Sequence, residues 1–182
     1  VLDVATADVE VDAEEQGNGF APIIGFNISP SDQLNIGLKY EFKTKVDLKT
    51  TVNDDKGGPL FINDSTVHSD VPAMFSVGVW YQIIPSLSAT AGFHYYFDKS
   101  ANYGKTLDLT GEEVDNDEVI DKNYFEIGLG LEYSITEKLL FSVGYLYAKP
   151  GVSKDYQSEL SYALPSSTLG GGFGYKFTEK VM

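Results

Sequence analysis

The 182-residue sequence contains no cysteine, which excludes disulfides, thiolate metal sites and cysteine nucleophiles. It has no apolar run of the ~18 residues that a transmembrane helix needs. No segment repeats its apolar residues every 3.6 positions, so helices are expected to be few. Basic residues are scarce: 13 Lys and Arg stand against 27 Asp and Glu, for a formal net charge of −14. A chain of that charge has no basic face for nucleic acid, and no nucleic-acid partner is expected. Histidine occurs twice, as His68 in a polar stretch and as His94. Along its own strand His94 is near Tyr96 and Asp98, but no serine or carboxylate pair is evident to complete a hydrolytic set. No catalytic residue, metal or cofactor is therefore expected. The acidic group Asp115, Asp117, Glu118 and Asp121 lacks the central glycine of a calcium loop, and Gly170-Gly171-Gly172 lacks the lysine and helix of a phosphate loop.

What the chain does have is a period of two. From Val71 to Ile83 the odd positions Val71, Ala73, Phe75, Val77, Val79, Tyr81 and Ile83 are apolar or aromatic, with Ser76, Gly78 and Gln82 among those between. After Ile84-Pro85-Ser86 the pattern resumes, with Leu87, Ala89, Ala91, Phe93, Tyr95 and Phe97 on one face. Successive strand side chains point to opposite faces, so each run is a β-strand with one apolar side. The same alternation covers residues 1–13, Phe20–Ile28, Leu34–Leu48, Phe125–Ile135, Leu139–Tyr147 and Leu169–Phe177. Roughly eight strands result, each near the ~9–11 residues that cross a bilayer when tilted. Short turns are expected at 30–32, 84–86, 136–138 and 178–180, and long loops at 49–70, 99–122 and 149–166. The acidic residues cluster in Asp3–Glu15, Asp54–Asp70 and Glu112–Asp121, toward strand ends and loops. The chain begins at Val1 without a signal-like segment and stops just after a turn, so a piece of something longer is expected.

Both a soluble β-domain and a membrane barrel alternate in this way. Three features favour the barrel. Short connections alternate with long ones, as in outer-membrane barrels. Aromatics gather at both ends of the apolar faces: Phe26, Tyr81, Tyr133 and Tyr175 near the short turns, Tyr40, Tyr95, Phe125 and Tyr147 near the loops. The second face is rich in glycine, including Gly37, Gly78, Gly92, Gly128, Gly130, Gly144, Gly170 and Gly172, which suits a wall around a lumen better than a surface in water. The expected fold is an all-β, antiparallel, up-and-down transmembrane barrel in a bacterial outer membrane.

The order of these segments resembles the FadL-type outer-membrane transporters of long-chain fatty acids and other hydrophobic compounds. The resemblance rests on Gly17-Asn18-Gly19-Phe20 before a strand, on Leu34–Tyr40 with its tail Glu41–Val46, on Val71-Pro72-Ala73-Met74-Phe75 after a long loop, and on Ala163-Leu164-Pro165 before the strand Thr168–Phe177. It implies a barrel of about fourteen strands, of which this chain supplies a middle and later part. It also implies passive transport of a fatty acid or another hydrophobic small molecule, with outer-membrane lipid and the remainder of the same barrel as partners.

On the face that turns inward in such a barrel, Met74, Trp80, His94, Tyr96, Leu140 and Leu146 are expected to line the lumen, against a ligand or against a plug. Lys39, Lys43 and Lys45 are placed to attract an acidic headgroup or to decorate the rim. A complete small eight-stranded barrel and a soluble β-sheet binding module are the competing readings.

Overall fold

Strict alternation in Leu34–Glu41, Met74–Ile84, Leu87–Tyr96 and Phe125–Ser134 leaves no conformation but extended chain that keeps one side apolar. The computed structural model is all-β and antiparallel. It describes residues 10–56, 61–104, 106–107, 113–114, 116–154, 157 and 162–177. Readings placed on residues 1–9, Gly57-Gly58-Pro59, Asp115, the side chain of Asp117, and 178–182 lie outside these.

The strands in chain order are β1 (Val11–Gln16), β2 (Ile23–Ser31), β3 (Leu34–Glu41), β4 (Asp47–Asp55), β5 (Thr66–His68), β6 (Met74–Ile84), β7 (Leu87–Tyr96), β8 (Thr106–Leu107), β9 (Glu113–Val114), β10 (Phe125–Ser134), β11 (Leu139–Lys149) and β12 (Ser166–Tyr175). A 3-10 turn at Asp98–Ser100 and a four-residue helix at Asn116–Val119 interrupt the strands. Seven strands form one antiparallel wall in the order β12-β11-β10-β7-β6-β3-β2, and the barrel does not close on itself.

The connections β2–β3, β6–β7 and β10–β11 lie along one edge of the wall. Three backbone bonds of 2.8 Å tie that edge together: Gln82 N–H to the Gln33 carbonyl, Ser134 N–H to Ser86 and Lys176 N–H to Lys138. The opposite edge carries the long excursions. The first holds two strands where a plain loop was expected, and β4 pairs with both β1 and β5 in a separate three-stranded sheet. The first of the roughly eight expected wall strands is thus, in its described part, a strand of this outer sheet.

The expected strand Leu34–Leu48 is also broken. Thr44, Val46 and Leu48 continue the alternation, but the chain leaves the wall after Glu41. Three long-range contacts hold the break: Thr44 and Val71 exchange backbone bonds, Asp70 accepts from Val46 N–H at 3.4 Å, and the Lys43 ammonium donates to the Ser100 carbonyl at 2.9 Å. Asp70 is buried, accepts Asn102 N–H at 3.0 Å and lies 3.6 Å from Lys43 Nζ. A buried carboxylate persists only when so supplied with donors, and this one fastens the segments around Thr44, Val71 and Asn102. At Gly104 a positive φ of 84°, with the His68 carbonyl 2.9 Å from where a Cβ would sit, lets the third segment pass close by.

Burial decides between a water-facing and a lipid-facing wall. The buried apolar residues among those described are Ala73, Ala101, Ile120 and Ala148, far too little for a soluble core. Large apolar side chains lie instead on the outside of the wall, with Leu129 55 % and Phe173 77 % exposed. So continuous an apolar face marks a surface that an apolar environment covers, lipid or protein.

Asp70→Ala leaves two backbone N–H groups and an ammonium short of an acceptor, a loss of about 1–3 kcal/mol to the outer node. Limited proteolysis should cut 42–73 and 97–104 faster while the wall strands stay protected; an unchanged digestion pattern refutes the clamp. Tyr103 beside this node donates to Asp98 at 2.9 Å, and the partial desolvation of its ring first, then that bond, pushes its phenol above its usual 10. Its contribution is whole below about pH 10, where both states are neutral, and declines above it as only the unfolded chain ionises freely. Proteolysis of 97–104 should accelerate above pH 10, and less so in Tyr103→Phe.

Candidate functional site

The pairing register assigns every wall residue to a face, because directly paired residues share a side. One rung joins Asn27, Gly37, Gly78, Gly92 and Gly128 across β2, β3, β6, β7 and β10, and reaches Leu146 on β11. Two residues further along the strands, toward the short turns, Asn35, Trp80, Thr90, Gly130, Gly144 and Gly170 form another. A cavity of about 950 Å³ lies against these rungs, so this face is concave. Ile24, Phe26, Leu38, Phe75, Val77, Phe93, Ile127, Leu129, Phe141 and Phe173 occupy the other face.

Packing does not require glycine at 78, 92, 128 or 170, whereas a Cβ at Gly130 would lie 2.5 Å from Thr90 Oγ1. A Cβ built on Gly78, Gly92 or Gly170 would meet nothing within 4 Å, and one on Gly128 would touch only Leu146 Cδ1 at 3.8 Å. Their absence of side chains therefore leaves a smooth floor in the trough.

Toward the long-loop end the next rung is polar: Lys39, Ser76, His94 and Glu126 lie side by side on β3, β6, β7 and β10. Ser76 is buried, and its Oγ is 2.9 Å from His94 Nδ1. Lys39 pairs with Glu41, and the Tyr124 hydroxyl donates to Glu126. A second cavity of about 490 Å³ is lined by Lys39, Ser76 and His94 with the glycines Gly37, Gly78 and Gly92. Beyond it Glu41, Met74 and Tyr96 make a further rung, and the rings of Tyr96 and Tyr124 meet tilted at 32° with centroids 4.9 Å apart.

The six expected lumen residues all fall on the concave face but do not form one cluster. Trp80 and Leu146 line the large cavity, His94 lines the smaller, Met74 and Tyr96 sit at its outer end, and Leu140 stands far away beside Gly174 near the short turns. The three lysines separate: Lys39 faces the trough, Lys43 is spent on Asp70 and Ser100, and Lys45 is exposed between β3 and β4. No serine is evident from the sequence beside His94, and the structure places Ser76 there. Its strand is paired symmetrically about Pro85, so a hairpin drawn about that turn places residue 76 opposite 94. A serine and histidine alone do not make a hydrolase: an oxyanion needs free donors, and backbone N–H groups inside a paired ladder are already taken.

No protein-family model matches the chain, and no curated protein sequence does. Solved structures do match in fold. The CymD monoaromatic hydrocarbon channel aligns with a TM-score of 0.53 at 15% identity, over 88% of this chain and 43% of that one. A monoaromatic hydrocarbon channel mutant, TodX deltaS2S3, gives 0.52 at 18%, over 90% and 42%. The Pseudomonas putida toluene transporter TodX gives 0.51 at 18%, over 90% and 41%. The chain spans about two-fifths of the length of these FadL-family channels, and over that part it has their fold.

Because a side chain at Gly78 or Gly92 finds open space, Gly78→Leu and Gly92→Leu should leave the folded wall as heat-resistant as before while filling the trough. Heat-modifiable migration on gels reads the first, and single-channel conductance of the full polypeptide the second. Unchanged conductance in both variants contradicts a trough that conducts.

Proposed function

We propose that this chain forms part of an outer-membrane channel through which small hydrophobic molecules pass without catalysis. The carrying observation is the split between faces: a continuous apolar exterior, and a concave interior floored by glycine and holding a cavity of about 950 Å³. That volume lies in the range of small-molecule sites, and the fold shared with hydrocarbon channels supports the same reading.

Between the two passengers expected from the sequence, the site favours an uncharged one over a fatty acid. A carboxylate needs an unmatched cation. Lys39 is already paired with Glu41, Lys43 with Asp70, and Glu126 adds a further negative charge to the trough. The passenger enters from the side of the long excursions, passes the Tyr96–Tyr124 pair and slides over the glycine floor.

Cells whose outer membrane carries the full polypeptide should take up radiolabelled toluene several-fold faster than cells carrying an empty vector, and oleate little faster. Equal rates for every hydrophobic compound would sink the proposal.

A further inference from the structure

A passage for bare hydrocarbon has no use for hydrogen-bonding groups in its wall, yet four adjacent strands of this wall carry them side by side. We propose that the rung of Lys39, Ser76, His94 and Glu126 is a recognition site for an uncharged monoaromatic compound bearing a hydroxyl group, the phenol class. The proposal rests on the channel reading above and names its passenger.

Each member of the rung has a defined state. The Lys39 ammonium is matched by Glu41, and the Glu126 carboxylate already accepts from Tyr124. Ser76, 7% exposed, is committed through Oγ to His94 Nδ1. That bond fixes the imidazole and leaves Nε2 without a protein partner among the described residues. An imidazole nitrogen held this way either donates or accepts, and a phenolic hydroxyl does both. The cavity of about 490 Å³ opens onto this nitrogen's ring, with Gly37, Gly78 and Gly92 as its floor.

The spacing fits one ring. Trp80 lies four residues from Ser76 on β6, and Thr90 four from His94 on β7, so the polar rung and the indole are about 13 Å apart along the strands. The glycine rung lies between them, where added Cβ atoms would meet nothing. An aromatic ring with a single polar substituent is about half that length, so with its hydroxyl at His94 it lies over the glycine rung with its far edge toward Trp80. Charge selects the class further. With Lys39 and Glu41 cancelling, Glu126 leaves the rung negative, which opposes benzoate and tolerates a neutral phenol. A hydrocarbon of the same size leaves Nε2 unsatisfied, and a site built to bond a hydroxyl discriminates against the analogue that lacks one.

The test measures initial uptake of p-cresol, toluene and benzoate at pH 7, where p-cresol is neutral, by cells carrying the full polypeptide. The expected order is p-cresol about tenfold over toluene, with benzoate slowest. In His94→Phe the p-cresol to toluene ratio should fall to about one, and in Ser76→Ala to an intermediate value. A wild-type ratio near one, or a ratio kept in His94→Phe, overturns the inference. Failure of all three compounds to enter overturns the channel reading itself. A second measurement needs no change at the site. This chain has two histidines, so the imidazole resonance lost in His94→Phe and kept in His68→Gln is that of His94. It should shift with p-cresol and stay still with toluene; a resonance that ignores p-cresol also refutes the site.

Discussion

In hydrocarbon every backbone N–H and C=O must find its partner within the protein, because no water is there to take it. A sheet meets this demand only when it has no free edge. Among the described residues the wall has two, β2 and β12. Seven antiparallel strands make these edges run in the same direction, both toward the short turns. A second copy rotated about the barrel axis would therefore meet β12 with a parallel β2. Closure through antiparallel pairs alone takes an odd number of further strands. The FadL-family channels that share the fold are more than twice as long as the part this chain matches.

Closure also explains why the two faces differ so completely. Once one side must satisfy lipid, the period of two frees the other side for function. Leu129, Phe141 and Phe173 make the exterior apolar, while their neighbours Gly128, Gly130, Ser142 and Gly172 set the interior. Glycine on adjacent strands removes side chains across a whole rung, and the polar rung of Ser76 and His94 gains its depth from the emptiness beside it. The outer sheet of β1, β4 and β5 has no such role in the wall. It is anchored through Asp70 to the segments that cap the long-loop end.

The wall was legible because alternation is local. The strands around Ile36, Val77, Phe93, Leu129 and Val143 are visible in the alternation alone, and the all-β fold followed from them. The concave face was legible for the same reason. What alternation does not carry is register and long-range contact. Ser76 and His94 are 18 positions apart, and their meeting follows only from drawing the hairpin about Pro85. Glu126 joins them through a strand 32 residues beyond His94, across a connection that sets no register by itself. The end of β3 was illegible for the opposite reason: Thr44, Val46 and Leu48 keep a strand's pattern, and the break is imposed by Val71, Asp70 and Ser100. Val11 and Ala13 likewise alternate as a wall strand would, yet their partners lie in β4.

The division into a lipid face and a lumen face is tested most directly on β10, which is paired on both sides. This chain has no cysteine, so single cysteines at residues 127 to 132 are read without interference once any cysteine elsewhere in the full polypeptide is replaced by serine. In intact outer membranes a charged, membrane-impermeant maleimide should label positions 128, 130 and 132 and leave 127, 129 and 131 unlabelled until detergent is added. Labelling in the opposite phase, or equal labelling of all six positions, would contradict the account.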